Sequence, residues 1–136
     1  MKAATSKLLI IGFGNPGRLD DGLGPAFAAA MEAKALPGVT VDSDYQLTVE
    51  DAVIVADHPV VLFADADVAG AEPFYIRSAE PAADSMTFST HHVSIEGVLA
   101  LTRDMFNATP QAFVIGIRGY EFNEFGEWLS PKAQAN

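Results

Sequence analysis

Cysteine is missing from the chain altogether, which excludes disulfides, thiolate zinc sites, iron–sulfur ligation and cysteine nucleophiles. Histidine is scarce, with His58, His91 and His92 the only three. Positive charge is in short supply too. Eight lysines and arginines stand against 18 aspartates and glutamates, a net charge of −10, so nucleic acid and anionic membrane surfaces would be repelled. The long apolar stretch 52–66 is broken by Asp57, His58 and Pro59, and no run is long enough to cross a bilayer. The run Leu8-Leu9-Ile10-Ile11 ends at Gly12, too short for a signal-peptide core, so a soluble protein of the cytoplasm is expected. Chemistry must then come from carboxylates, imidazoles, hydroxyls or backbone.

Hydrophobic residues are what the chain has in quantity. They make up 49% of 136 residues, enough for one well-cored domain over 1–136 and too many for a disordered chain. Lys7 to Phe13 is nearly continuous apolar sequence, as a strand buried on both faces requires. Leu23, Phe27, Ala30 and Met31 then fall on one helical face, and Pro37-Gly38 ends that helix. Val39–Val41 predicts a short strand, Thr48 a helix start running to Ala56, and Val60–Ala64 a third strand closing on Asp65. Asp51 stands where a longer acid or amide would complete a capping box. Phe74-Tyr75-Ile76 reads as an edge strand, and 81–89 as a loop. Ile95, Val98, Leu99, Thr102, Met105 and Phe106 recur at helical spacing through Asn107, and Ala112–Ile117 is a last buried strand. Strands alternating with helices predict an α/β fold with a mostly parallel sheet, whose functional crevice lies beyond the strands' C-terminal ends.

Gly12-Phe13-Gly14-Asn15-Pro16-Gly17 formally matches a dinucleotide-binding loop, with Asp42 near the place of a ribose-binding acid. Pro16 has no N–H to offer a phosphate, however, and Asp20-Asp21 put negative charge where a pyrophosphate would sit. One of these two acids suits a first-turn cap, and the other could point outward as a ligand. Asp65 cannot lie in a core without a partner, so its position at a strand end suggests function. Asp67 is expected to be solvated, and His58, before Pro59, to be exposed. In Ser89-Thr90-His91-His92, a histidine ahead of a helix start is held neutral by the helix dipole and can ligate. Two carboxylates and one imidazole suit nickel or zinc. The His-Glu-x-x-His and Gly-x-Ser-x-Gly motifs do not occur, which leaves the zinc-protease helix and serine hydrolysis without support.

Three motifs, in order along nearly the whole chain, make the sequence resemble the [NiFe]-hydrogenase maturation endopeptidases. They are Gly12-x-Gly14-Asn15-x-x-Arg18-x-Asp20-Asp21-Gly22-x-Gly24, Phe63-Ala64-Asp65-Ala66, and Ser89-x-His91. Tyr45-Gln46-Leu47 is similar to the second-strand loop of many members. The resemblance implies a three-layer α/β/α sandwich with a mostly parallel, about five-stranded twisted sheet. It implies an aspartic-type endopeptidase that removes the C-terminal extension of a hydrogenase large-subunit precursor once nickel has been inserted. By motif position, Asp21, Asp65 and His91 would be both the catalytic residues and the metal ligands. The nickel is carried by the substrate, and zinc or cadmium can occupy such a site in vitro. Glycines 12, 14 and 22 would let substrate backbone come close. Family members continue into a closing C-terminal helix, of which Ser130-Pro131 reads only as cap and first residue before the sequence ends, so the domain is expected to lack it. Two other readings of the ligands and loop are a non-catalytic nickel-binding maturation partner and a small nicotinamide-dinucleotide-binding module.

Overall fold

Strand β1 (Leu8–Phe13) is an interior strand of the sheet and pairs in parallel with β2 (Val39–Asp44) on one side and β3 (Val60–Asp67) on the other. The computed structural model describes residues 6–83 and 93–136. Strand β5 (Gln111–Arg118) runs parallel to β3, and β4 (Phe74–Ala79) closes the edge antiparallel to β5, giving the order β2-β1-β3-β5-β4. The chain moves from β1 outward to β2 and then crosses β1 to reach β3. The C-terminal ends of β1 and β3 therefore flank the point where the winding reverses.

Each face of the sheet has its own helices. Helix α1 (Leu23–Ala33) packs on β1, β2 and β3, while α2 (Asp51–Ala56) and α3 (Ile95–Phe106) pack against each other. Alternation sorts the strand residues accordingly. Leu9, Ile11, Val61, Phe63, Ala112 and Val114 join Val55, Val98 and Leu99 in one core cluster. Ala64, Ile115 and Ile117 join Leu23 and Ala133 in the other, with Leu62 and Phe27 packed against it. The architecture is the three-layer sandwich with a mostly parallel, five-stranded sheet.

Several local expectations shift. Helix α1 faces the sheet with Leu23, Gly24 and Ala28, while Ala30 is exposed. The helix stops at Ala33, before Pro37. Strand β3 runs three residues past Ala64, so Asp65 and Asp67 sit on the strand itself. Asp51, though short, accepts a hydrogen bond from the Thr48 N–H at 2.8 Å and so makes one arm of a capping box. Helix α3 is as expected, with the Ser94 hydroxyl accepting from Gly97 N–H at 3.0 Å and Asn107 ending it in the left-handed region. Helix α4 (Pro131–Ala135) does form, capped by Ser130, and Ala133 is buried against the sheet. The reading of Ser130-Pro131 as cap and first helical residue thus holds.

The seating of α1 depends on two glycines. A Cβ on Gly12 would lie 2.1 Å from the Gly24 carbonyl oxygen, and one on Gly24 would lie 2.4 Å from Phe13 O and 2.5 Å from Ala64 O. Backbone meets backbone here, and no flexible side chain can yield. Gly24→Ala should cost at least about 2 kcal/mol of stability. Chemical denaturation followed by circular dichroism would check this, and a loss under about 0.5 kcal/mol would contradict the packing.

Candidate active site

Four parallel strands end at one edge of the sheet, and the loops that follow them, 14–22, 45–50, 68–73 and 119–130, gather there. The loop after β1 turns through Gly14 into a 3-10 turn, Leu19–Gly22. It is held from several directions. Asn15 N–H donates to the Asp21 carboxylate at 2.8 Å, Gly17 N–H donates to the Asn15 side-chain oxygen at 2.8 Å, and Gly14 N–H donates to Asp44 O at 3.0 Å. Leu19 is buried with φ of 51°, a left-handed conformation that a leucine keeps only when its surroundings over-determine it.

The two adjacent acids divide their roles completely. Asp20 is wholly buried. Its carboxylate accepts from Tyr120 N–H at 2.7 Å, Glu121 N–H at 3.0 Å, Ser130 N–H at 2.7 Å and the Ser130 hydroxyl at 2.7 Å. Burial alone would raise its pKa, but the Ser130, Tyr120 and Glu121 donors together hold it below the ordinary value. Asp20 is a tie between the β1 loop and the C-terminal segment, wholly buried and already bound by four donors. It caps no helix and cannot stand in for its neighbour. Asp21, half-buried, spends one oxygen on Asn15 N–H and is the acid available to a ligand.

Asp65 lies one residue beyond the last β1–β3 pair, Gly12 and Ala64, where β3 begins to overhang the crevice. Burial is the main reason its pKa is pushed up to about 7; the Ala66 N–H opposes this, and the charges of Asp21 and Asp67 add to it. The two candidate carboxylates thus sense each other across the β1/β3 switch point. His91, with Ser89, Thr90 and His92, lies outside the described residues. Where the chain resumes, Val93 N–H donates to Leu47 O at 3.1 Å, in the loop after β2 at this same edge. His58 stands at the opposite end of β3, half-buried, with its Nδ1 2.9 Å from Ile54 O. It is neither exposed nor near the carboxylates.

Asp67 proves to be more than a solvated acid. It accepts from the Tyr75 hydroxyl at 2.6 Å and from Ala69 and Gly70 N–H at 2.9 Å, and the tyrosine bond foremost lowers its pKa. Asp65, Gly116 and Tyr75 occupy one register row across β3, β5 and β4. The tyrosine ring occupies the space a Gly116 side chain would fill, since a Cβ there would lie 2.3 Å from it. Tyr75 therefore lies across β5 and walls the crevice beside Asp65. The signal was present in the sequence as a lone glycine inside an apolar strand, a mark of close approach.

The glycines of the loop face their own chain. A Cβ on Gly14 would meet Asp21 O at 2.1 Å, and one on Gly22 would meet Pro16 Cα at 3.0 Å. With Gly12 against α1, they let loop and helix close on the sheet, which corrects the expectation that they admit substrate backbone. The N–H groups of Asn15 and Gly17 are spent within the loop, so they cannot cradle a phosphate, and the dinucleotide reading loses its basis. Among the described residues no group of three or more acidic or histidine side chains is arranged to hold a metal, and no helix is long and apolar enough to cross a membrane. Asp21 and Asp65 supply two hard oxygen donors, the chemistry a nickel or zinc site with one imidazole asks for.

This is a doubly wound α/β protein with paired carboxylates at its switch point. Its fold is that of the hydrogenase maturation proteases. The hydrogenase maturating endopeptidase HybD from E. coli superposes with a TM-score of 0.72 at 21% identity, over 95% of this chain and 83% of that one. The [NiFe] hydrogenase maturation protease HycI from Thermococcus kodakarensis KOD1 gives 0.70 at 20% identity, over 98% and 86%. The hydrogenase 2 maturation peptidase from Thaumarchaeota archaeon SCGC_AB-539-E09 gives 0.68 at 23% identity, over 95% and 89%. No protein-family model matches the sequence, and no curated protein does.

Removing the Asp20 charge should be costly. Asp20→Asn turns an amide towards donors that need an acceptor, and about 2–4 kcal/mol should be lost. Because the pKa of Asp20 is depressed from 3.8, its contribution is complete above that value and is lost as pH falls through the folded-state pKa. Urea titrations at pH 7 and pH 3 should show the variant's deficit shrinking at the lower pH; a pH-independent deficit would contradict the ionised role.

Asp65 has the opposite sign. Its folded pKa of about 7 exceeds 3.8, so the native state holds the extra proton between the two values and stability falls as pH rises through them. Asp65→Asn should therefore be more stable than the parent at pH 8, with the gap narrowing by pH 4. Equal stability at pH 8 would show that Asp65 carries no burial penalty.

Proposed function

We propose that this protein is an endopeptidase that removes the C-terminal extension of a [NiFe]-hydrogenase large-subunit precursor after nickel has been inserted. The observation that carries this reading is the Asp21–Asp65 pair, set at the β1/β3 switch point of a fold shared with hydrogenase maturation proteases. Nickel arrives as part of the substrate. Asp21, Asp65 and His91 are the residues that engage it, two carboxylates and an imidazole, and zinc or cadmium can substitute in vitro. Engagement holds the scissile peptide in the crevice, where a water polarised at the site attacks the carbonyl carbon. A resting protein with no ion of its own keeps two mutually repelling acids close together. Asp65 then holds a proton near neutral pH, and a divalent ion displaces it. Cleavage takes place in the cytoplasm, where the precursor is assembled.

Asp21→Asn and Asp65→Asn should each lower the rate of precursor processing at least about a hundredfold while the fold survives. His91→Ala should do the same, and His58→Ala, at the far end of β3, should process normally. Processing should also fall as pH drops from 8 to 6, because Asp65 must lose its proton to engage nickel. The assay is a gel shift of nickel-loaded precursor, with nickel-free precursor as control and mass spectrometry of the released peptide. Normal cleavage by a well-folded Asp65→Asn protein would refute the assignment. Tight binding of the nickel-loaded precursor without any cleavage would identify a non-catalytic maturation partner instead.

A further inference from the structure

The segment after β5 carries the most exposed large apolar side chain of the described residues, Phe125 at 82%, together with Trp128 at 67%. Exposed aromatics are usually found on loose loops, but this segment is anchored at three places. Asp20 holds Tyr120 and Glu121 at one end and Ser130 at the other. Between them, Leu19 N–H donates to Gly126 O at 3.0 Å and Gly126 N–H donates to Gly17 O at 2.7 Å. The Trp128 ring lies over Gly126, whose Cβ position is 2.8 Å from it, and the Arg18 guanidinium stands 5.7 Å from the centre of the Phe125 ring. Two aromatic faces are thus kept in water by backbone bonds that begin at the residue next to Asp21.

A groove of about 240 Å³ opens beside Trp128, walled by Pro16, Leu19, Pro25, Ala26 and Leu129. Pro16 and Pro25 also wall a second groove that reaches Gly14 and Tyr45. The aromatic surface therefore runs along the β1 loop to the loop after β2. The segment itself is acidic, because residues 119–130 include Glu121, Glu124 and Glu127 and no lysine or arginine, and Arg18 beside Phe125 is the cation that the loop after β1 adds. None of those three carboxylates enters an ion pair among the described residues. Rigid aromatics rimmed by unpaired acids suit a partner surface that presents apolar anchors flanked by lysine or arginine, which also stack on aromatic faces.

We infer that Phe125, Trp128 and the glutamates around them form a docking surface for the folded body of the protein substrate, which meets it through a basic, apolar patch away from the scissile peptide. This inference rests on the endopeptidase reading and adds a second point of contact to it. Substrate affinity then depends on the segment after β5, and bond cleavage depends on the carboxylates.

The test is steady-state processing of nickel-loaded precursor by the wild-type chain, Phe125→Ala/Trp128→Ala, and Glu121→Gln/Glu124→Gln/Glu127→Gln, with circular dichroism as folding control. The aromatic double variant should raise KM about tenfold or more with kcat within about twofold. Raising salt should increase KM for the wild type and much less for the glutamine variant. Unchanged KM in both variants, with the wild type active, overturns the docking surface and leaves the endopeptidase reading intact. No cleavage by the wild type overturns both. A dimer of this chain that the aromatic variant dissociates in sedimentation, with KM unchanged, assigns the surface to a second copy and likewise overturns the inference.

Discussion

A single buried carboxylate ties the two ends of this protein together. Asp20 receives four hydrogen bonds from residues 100 to 110 positions later in the chain, at no cost in unpaired atoms. An ionised group is tolerated at zero exposure because every donor reaching it is fixed by backbone or by the Ser130 cap. The β1 loop, the segment after β5 and helix α4 all take their places from that contact. Asp21, the next residue, inherits a fixed position from it. Its own bond to Asn15 N–H then sets which oxygen remains for a ligand.

The crevice itself is built against local stability. Asp65 is buried enough to hold a proton near neutral pH, with the charges of Asp21 and Asp67 adding to the burial penalty. Asp67 escapes the same fate through the Tyr75 hydroxyl and two backbone N–H groups. Three acids in one corner thus occupy three electrostatic states. One is fully satisfied by the protein, one is partly committed, and one carries a charge that burial disfavours and protonation near neutral pH relieves.

Most elements could be read from the chain because their signals are local. The apolar period from Ile95 reproduces α3 to within one residue, with Asn107 turning out to be its left-handed cap, since helical spacing beside a Ser94 cap is a local signal. Helix α1 was less legible. Its alanines leave the apolar stripe ambiguous, and Ala28 is selected over Ala30 by how closely Gly24 lets the helix approach β1 and β3. The length of β3 was hidden for a related reason. Acids at 65 and 67 look like a strand end, yet pairing with Gly116 and Arg118 of β5 carries the strand through both.

Sequence alone determined the alternation of strands and helices, the carboxylate and imidazole chemistry left by an absence of cysteine, and the three motifs that bring Asp21, Asp65 and His91 forward. These are matters of residue type, spacing and order. Which of two adjacent aspartates is buried was decided only in three dimensions. So were the use of Asp67 and Tyr75 as a wall and the service of the loop glycines to the chain's own packing. The reason is physical: a carboxylate's role depends on the donors and charges that surround it, and here those come from strands and loops far away in sequence, brought together only when the sheet closes.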